Sequence, residues 1–270
     1  MKRGHLITLT LIVIIAFALF FLFSKQPSMQ QVVQSEKRMT EIAGSALELP
    51  ALSPDDHPVI KRGFTLVYSK KDEEPKWVAY ELSTRNYVKR AKRSDRFEPD
   101  PAITTGTATN EDYRHSGYDR GHLAPAADMS FDAEALQESF LFSNITPQRP
   151  KFNRGIWKIL EEDTRKWGEQ YGTIFITTGP ILSQVEEYIG PDKVTVPSRF
   201  FKTLLLYSQN RFWAIGFIIP NKETAKPVSA FAVPIDSVEK ATGLDLYPNL
   251  PDSVENEVES ARSLPLWLLN

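Results

Sequence analysis

Two apolar runs, Phe200 to Tyr207 and Phe212 to Ile219, constrain the fold of this 270-residue chain most. Only Ser208 to Arg211 separates their cores, so the pattern predicts a hairpin. Neither run alternates apolar with polar residues. Such near-continuous apolar character predicts strands buried on both faces.

Shorter elements fit around this hairpin. Phe64 to Tyr68 and Trp77 to Leu82 read as strands joined by the charged turn KKDEEPK. Ile174 to Thr178 reads as a strand stopped by Gly179-Pro180. From Phe152 to Gly168 the period is helical, with Ile156, Ile159, Leu160 and Trp167 on one buried face. Asp236-Ser237-Val238-Glu239 has capping-box spacing with Asp236 at the N-cap, and Gly243 suits a C-terminal stop. Residues 98–117, rich in Pro, Thr, Gly and Asp, read as a long loop. Strands and helices mix without a βαβ rhythm, which predicts an α+β domain with mixed sheets.

The N-terminus carries a different signal. Lys2 and Arg3 precede an uncharged stretch, Leu6 to Phe23, of 18 residues. As a helix it would span roughly 27 Å, close to a bilayer's hydrocarbon core. Ala16-Phe17-Ala18 fits a signal-peptide cleavage site, but it lies inside the apolar run rather than after it. The sequence therefore predicts an uncleaved transmembrane helix at 6–23 in contact with the lipid bilayer, with a cleaved signal as the rival. Residues 24–58, polar and carrying Pro27, Pro50 and Pro54, read as a tether containing one short helix near Val32–Leu47. The folded domain is expected to run from 59 to 270. Basic residues before the apolar run place the domain outside the cytoplasm. A mitochondrial intermembrane location ranks behind a bacterial envelope, because the run lacks the arginine-rich amphipathic character of a transit peptide.

Composition excludes some chemistry. The chain has no cysteine, so disulfides, thiolate metal sites and cysteine nucleophiles are ruled out. Net charge is −2, so any attraction to phosphates must be local. One local basic run exists, KRAKRSDR from Lys89 to Arg96.

Two segments concentrate reactive side chains: SGYDRGHLAPAADM from Ser116, and SNITPQRPKFNRGIWKILEEDTR from Ser143. In the second, Asn153, Trp157, Glu161 and Arg165 recur every four residues, a slowly drifting helix stripe. An amide oxygen and a carboxylate are hard ligands that suit Mg²⁺. A solvated stripe with a Glu161–Arg165 ion pair explains the same spacing. In the first, an extended Tyr118 to Leu123 puts Arg120 and His122 on one side. Phosphodiester hydrolysis needs a base, a cation near the phosphate and a metal on the leaving oxygen. Neutral imidazole suits the first task. His115 competes with His122 for it, and periodicity does not decide between them.

The two segments together closely resemble the DNA/RNA non-specific endonucleases, a family that includes secreted bacterial nucleases and mitochondrial endonuclease G. The likeness continues through Thr178-Gly179-Pro180, VTVPSRFFK, Phe217-Ile218-Ile219-Pro220-Asn221 and VEKATGLD, across roughly residues 60–255. The resemblance implies a ββα-metal core within a larger α+β domain. It implies His122 as general base, Asn153 as the direct ligand of Mg²⁺ (with Mn²⁺ substituting), and Glu161 as the carboxylate organising the metal's waters. Arg120 and Arg165 resemble arginines that contact phosphate or stabilise the transition state. Asp119 and Asn144 look like framework positions. One family arginine upstream of the DRGH has no clean counterpart among Arg90, Arg93 and Arg96, and Arg96 is taken as the nucleic-acid contact. DNA and RNA are the implied substrates, cut with little sequence preference to 5′-phosphate ends. The alternative is a tethered nucleic-acid-binding protein without catalysis.

Overall fold

The computed structural model describes residues 46–183, 185–208 and 211–260. Seven strands form one antiparallel sheet: β1 (Pro58–Ile60), β2 (Thr65–Ser69), β3 (Glu74–Leu82), β6 (Ile174–Pro180), β9 (Arg199–Ser208), β10 (Arg211–Pro220) and β11 (Ala232–Val233), hydrogen-bonded in that order. Two small antiparallel pairs lie outside it, β4 (Asp119–His122) with β5 (Ile145–Gln148), and β7 (Val185–Ile189) with β8 (Val194–Pro197). The expected hairpin is β9–β10, paired from Arg211 opposite Ser208 to Pro220 opposite Arg199.

Alternation sorts β9 and β10 onto two cores. Phe200, Leu204, Leu206, Ile215, Phe217 and Ile219 face a cluster completed by Leu160 and Trp167 of a long helix. The opposite face is covered by two helices near the C-terminal end, Ile235–Thr242 and Asp252–Ser260. Gly216 of β10 lets the first of these approach, since a Cβ there would sit 2.6 Å from Val238 Cγ2. Both faces of the hairpin are therefore buried, as its sequence demands.

Local structure departs from the sequence reading in four places. Gly179-Pro180 does not stop β6: both residues stay in register, opposite Phe201 and Phe200. The glycine is needed because a Cβ would lie 2.6 Å from the Lys76 carbonyl oxygen. The helix expected from 152 is split. Phe152–Trp157 forms a wide π-helical turn broken at Gly155 (φ −103°, ψ −114°), and regular α-helix runs only over Lys158–Tyr171. Its buried stripe is Leu160, Thr164, Trp167 and Gly168, and Ile159 lies outside it at 49% exposure. Pro234 rather than Asp236 caps the helix at Ile235, so Asp236 sits inside the first turn. Gly243, at φ +77°, ends that helix as expected.

The folded unit also begins earlier than residue 59: the described residues from Ala46 onward belong to one compact unit. Leu47 is fully buried. The Glu48 carbonyl accepts from Thr177 Oγ1 at 2.6 Å, and Ala51 N donates to the Asp245 carbonyl at 2.8 Å. Residues 46–51 are thus packed chain, not tether. The predicted segment at 6–23 and the short helix near Val32 lie outside the described residues. No described helix is long and apolar enough to cross a membrane.

Candidate active site

Strand β4 carries the DRGH segment, paired with β5 from Asp119 opposite Gln148 to His122 opposite Ile145. Extended backbone puts Arg120 and His122 on one face. Gly121 between them lies against Gln148, where a Cβ would come within 2.2 Å of Gln148 Cδ. Asn144 braces the strand's exit. Its Oδ1 accepts from Ala124 N at 2.9 Å, and its Nδ2 donates to the carbonyls of Ala124 and Ser139 at 3.0 and 2.9 Å.

After β5 the chain makes the wide turn and enters the long helix, so two paired strands feed one helix. Asn153 sits in the wide turn and Glu161 and Arg165 on the helix proper. The strand pair and helix close an open cleft of about 500 Å³ lined by His122, Arg120, Asn153, Glu161 and Arg165. Five residues singled out from sequence thus meet in one place.

Arg96 does not join them. It is 78% exposed and pairs with Glu98 at 2.8 Å. Arg93 lines the cleft instead, with its guanidinium 5.3 Å from the Phe140 ring centroid. Phe97 packs on Phe140, Phe142 and His122, which anchors the end of the basic run beside the cleft, where Arg93 stays 58% exposed and paired with Asp95. His115 is an exposed turn residue at φ +57° and lies outside the cleft lining.

The imidazole of His122 is half-buried between Phe97 and Phe140, with ring centroids 5.5 and 4.9 Å away. Its Nε2 is buried without a hydrogen-bond partner. Burial, helped by the positive charge of Arg93, pushes its pKa down to about 3, so the ring is neutral. Arg120 is clamped from beneath by aromatic faces, its guanidinium 5.5 Å from the centroids of both Phe97 and Tyr113.

Asn153 has a fixed amide. Its Nδ2 donates to Asp119 Oδ2 at 2.9 Å, and Arg154 grips the same carboxylate at 2.8 and 2.6 Å. With Nδ2 engaged, Oδ1 is the amide atom left to serve as an oxygen ligand. Arg165 is held by Asp128, Nη1 to Oδ1 at 2.8 Å, and Tyr80 Oη donates to the other oxygen at 3.0 Å. The Glu161–Arg165 ion pair considered from spacing is therefore replaced by Arg165–Asp128. Glu161 keeps its carboxylate clear of ion pairs among the described residues. Burial pushes Glu161 up and the neighbouring Lys202 down, while their mutual attraction opposes both shifts. A free amide oxygen and an unpaired carboxylate on one cleft fit a hard divalent cation, and no thiol or second imidazole is there to favour a softer one.

Sequence reading weighed Arg93 but chose Arg96 over it, and it missed Arg154, Lys158, Asp128 and Lys202. Asp128 lies within the AADM stretch with no motif of its own. Lys202 carried a signal: a lysine two residues from Phe200 and Leu204 on an inward-facing parity.

The profile of the DNA/RNA non-specific endonucleases matches residues 48–253. Mitochondrial endonuclease G of Bos taurus is 34% identical over 205 residues, 70% of this chain and 69% of that protein. Mitochondrial nuclease 1 of Schizosaccharomyces pombe is 34% identical over 213 residues, 71% of this chain and 66% of that protein. The solved EndoG/EndoGI complex, described as showing the mechanism of EndoG inhibition, contains a chain with the same fold. Its TM-score is 0.71 at 28% identity, covering 79% of this chain and 94% of that one. These findings overturn the expected location. The named relatives are mitochondrial rather than of a bacterial envelope, and the expected contact with a lipid bilayer has no support in the described fold. A profile match over most of the chain, on a fold shared with EndoG and with the DRGH strand at its cleft, makes this chain a member of the DNA/RNA non-specific endonuclease family, a hydrolase.

Proposed function

We propose that the chain hydrolyses phosphodiester bonds in both DNA and RNA with little sequence preference, using a divalent cation and His122 as general base. The convergence of His122, Arg120, Asn153, Glu161 and Arg165 on one cleft carries this reading. Asn153 through Oδ1, and Glu161, would hold Mg²⁺ or Mn²⁺; the cation, when bound, supplies Lewis-acid stabilisation of the leaving oxygen.

The chain's own residues supply the rest. Nε2 of His122 is buried, so Nδ1 is the nitrogen able to take a proton from a water in the cleft. The neutral ring then carries its own proton on Nε2. Arg120 and Arg165 present pre-positioned guanidinium groups to the charge developing on the phosphate. Arg93 takes the place assigned to Arg96 as the upstream phosphate contact. Phosphate contacts carry no base information, hence the weak sequence preference.

The test is cleavage of supercoiled plasmid and of single-stranded RNA, each with Mg²⁺, with EDTA, and with Mn²⁺ restored after EDTA. Cleavage of both polymers that stops in EDTA and returns with either cation is expected. Full activity in EDTA would sink the metal assignment. Tight binding of both polymers with no cut in any condition would leave the non-catalytic alternative standing.

A further inference from the structure

Lys202 occupies a position where an apolar side chain belongs. Its face of β9 is shared with Phe200, Leu204 and Leu206, all part of the core beneath the long helix. Lys202 is itself fully buried, and its Nζ finds no hydrogen-bond partner among the described residues. Its immediate surroundings are aromatic: Nζ lies 5.1 Å from the Trp157 ring centroid and 5.8 Å from that of Tyr80. Cation–π contact recovers part of the cost of dehydrating an ammonium, but a methionine would fill the space without that cost. Packing alone does not account for the lysine.

Two carboxylates act on it electrostatically, Glu161 and Asp128. Asp128 is already engaged by Arg165 and by Tyr80 Oη. Glu161 stands one helical turn beyond Trp157, on the same side of the helix, and is the carboxylate left for Lys202. Arg165 is paired directly with Asp128, whereas Lys202 and Glu161 attract each other as unlike charges without a direct ion pair among the described residues.

We propose that Lys202 is a positioning residue for the metal centre: its buried ammonium, seated under Trp157 one helical turn from Glu161, draws the Glu161 carboxylate from below by charge attraction and biases where that carboxylate meets the cation's water shell. The inference rests on the metal-dependent reading above. Lys202 reaches neither the nucleic acid nor the reacting atoms, and it acts through Glu161.

The experiment titrates Mn²⁺ into the full chain without nucleic acid, following free Mn²⁺ by electron paramagnetic resonance, for wild type, Lys202→Met and Lys202→Arg. Chemical denaturation in EDTA runs in parallel, with Glu161→Gln and the double variant Glu161→Gln/Lys202→Met included. Lys202→Met should bind Mn²⁺ about 10–100-fold more weakly, the usual effect of removing a group that orients a metal's surroundings. Lys202→Arg should recover most of that loss. In EDTA, Lys202→Met should unfold at lower denaturant than wild type, and adding Glu161→Gln should restore part of the difference, because the stranded carboxylate is gone. Mn²⁺ affinity in Lys202→Met equal to or tighter than wild type overturns the proposal, whatever happens to stability. Should Lys202→Met not fold, the double variant decides: recovery of folding supports the pair, and failure to fold assigns Lys202 to the core alone and overturns it. Wild type that binds no Mn²⁺ and cuts nothing defeats both this inference and the reading beneath it. Wild type that does both, beside an unaltered Lys202→Met, defeats only this one.

Discussion

His122 is kept neutral by burial and by Arg93, at a pKa of about 3 against an ordinary 6.5. Its replacement by Ala should lower kcat by about 10²–10⁴-fold, the range of a lost general base. His115→Ala should change nothing, and the reverse result on plasmid cleavage would move the role to His115. Between about 6.5 and 3 the unfolded chain binds a proton at this position and the folded chain does not. The contribution to stability is therefore fully present above 6.5 and is lost progressively as pH falls toward 3. Wild type should lose denaturant resistance over that window more steeply than His122→Gln. For the same reason the rate should show no acid limb at 6.5; a limb there, absent in His122→Gln with residual activity, would mean a solvated imidazole. At Asp128 the expectation is about stability. Asp128→Asn strands Arg165, whose side chain is 24% exposed, and should cost about 3 kcal/mol by the usual penalty for breaking a mostly buried pair, read from denaturation in urea.

The strand pair and its helix show what short-range sequence can and cannot reveal. His122, Asn153 and Glu161 are legible because their relation is fixed within one strand and one helical stretch. Arg93 is not, because its place depends on Phe97 meeting Phe140 and His122, residues 25 or more positions further along the chain. Lys202 is not, because its partner Glu161 belongs to a different layer. The break at Gly155 is equally invisible to a period count, which carries the 3.6-residue repeat straight through it. Gly121 is the element's sensitive point. Gly121→Ala would drive a Cβ into Gln148 and push β4 off β5, tilting Arg120 and His122 out of the cleft. Most activity should be lost while far-ultraviolet circular dichroism stays near wild type. Wild-type kinetics in that variant would show that β5 yields easily.

At the scale of the whole molecule, the hairpin and the α+β class were readable because buried-both-faces strands leave little freedom in how they are covered. The N-terminal boundary was not, since residues 46–58 look polar and proline-rich yet lay Leu47 into the core. A chain starting at 59 should therefore be less stable than one starting at 46. The loss of Leu47 alone is worth about 2 kcal/mol of apolar burial, to which the bonds to Thr177 and Asp245 add. Equal denaturation curves for the two would show that the segment merely rests on the surface. The long helix Lys158–Tyr171 has two duties on opposite sides: Glu161 and Arg165 line the cleft, while Leu160 and Trp167 seal the sheet, Trp167 stacking on Phe217 at 6.4 Å. A helix shared in this way cannot fray from the cleft while the core stays shut. Its amide protons should exchange with solvent only as slowly as the entire domain opens. On warming, the enzyme should then hold its cutting power until the domain itself melts, with no cooler stage at which an intact fold has gone silent.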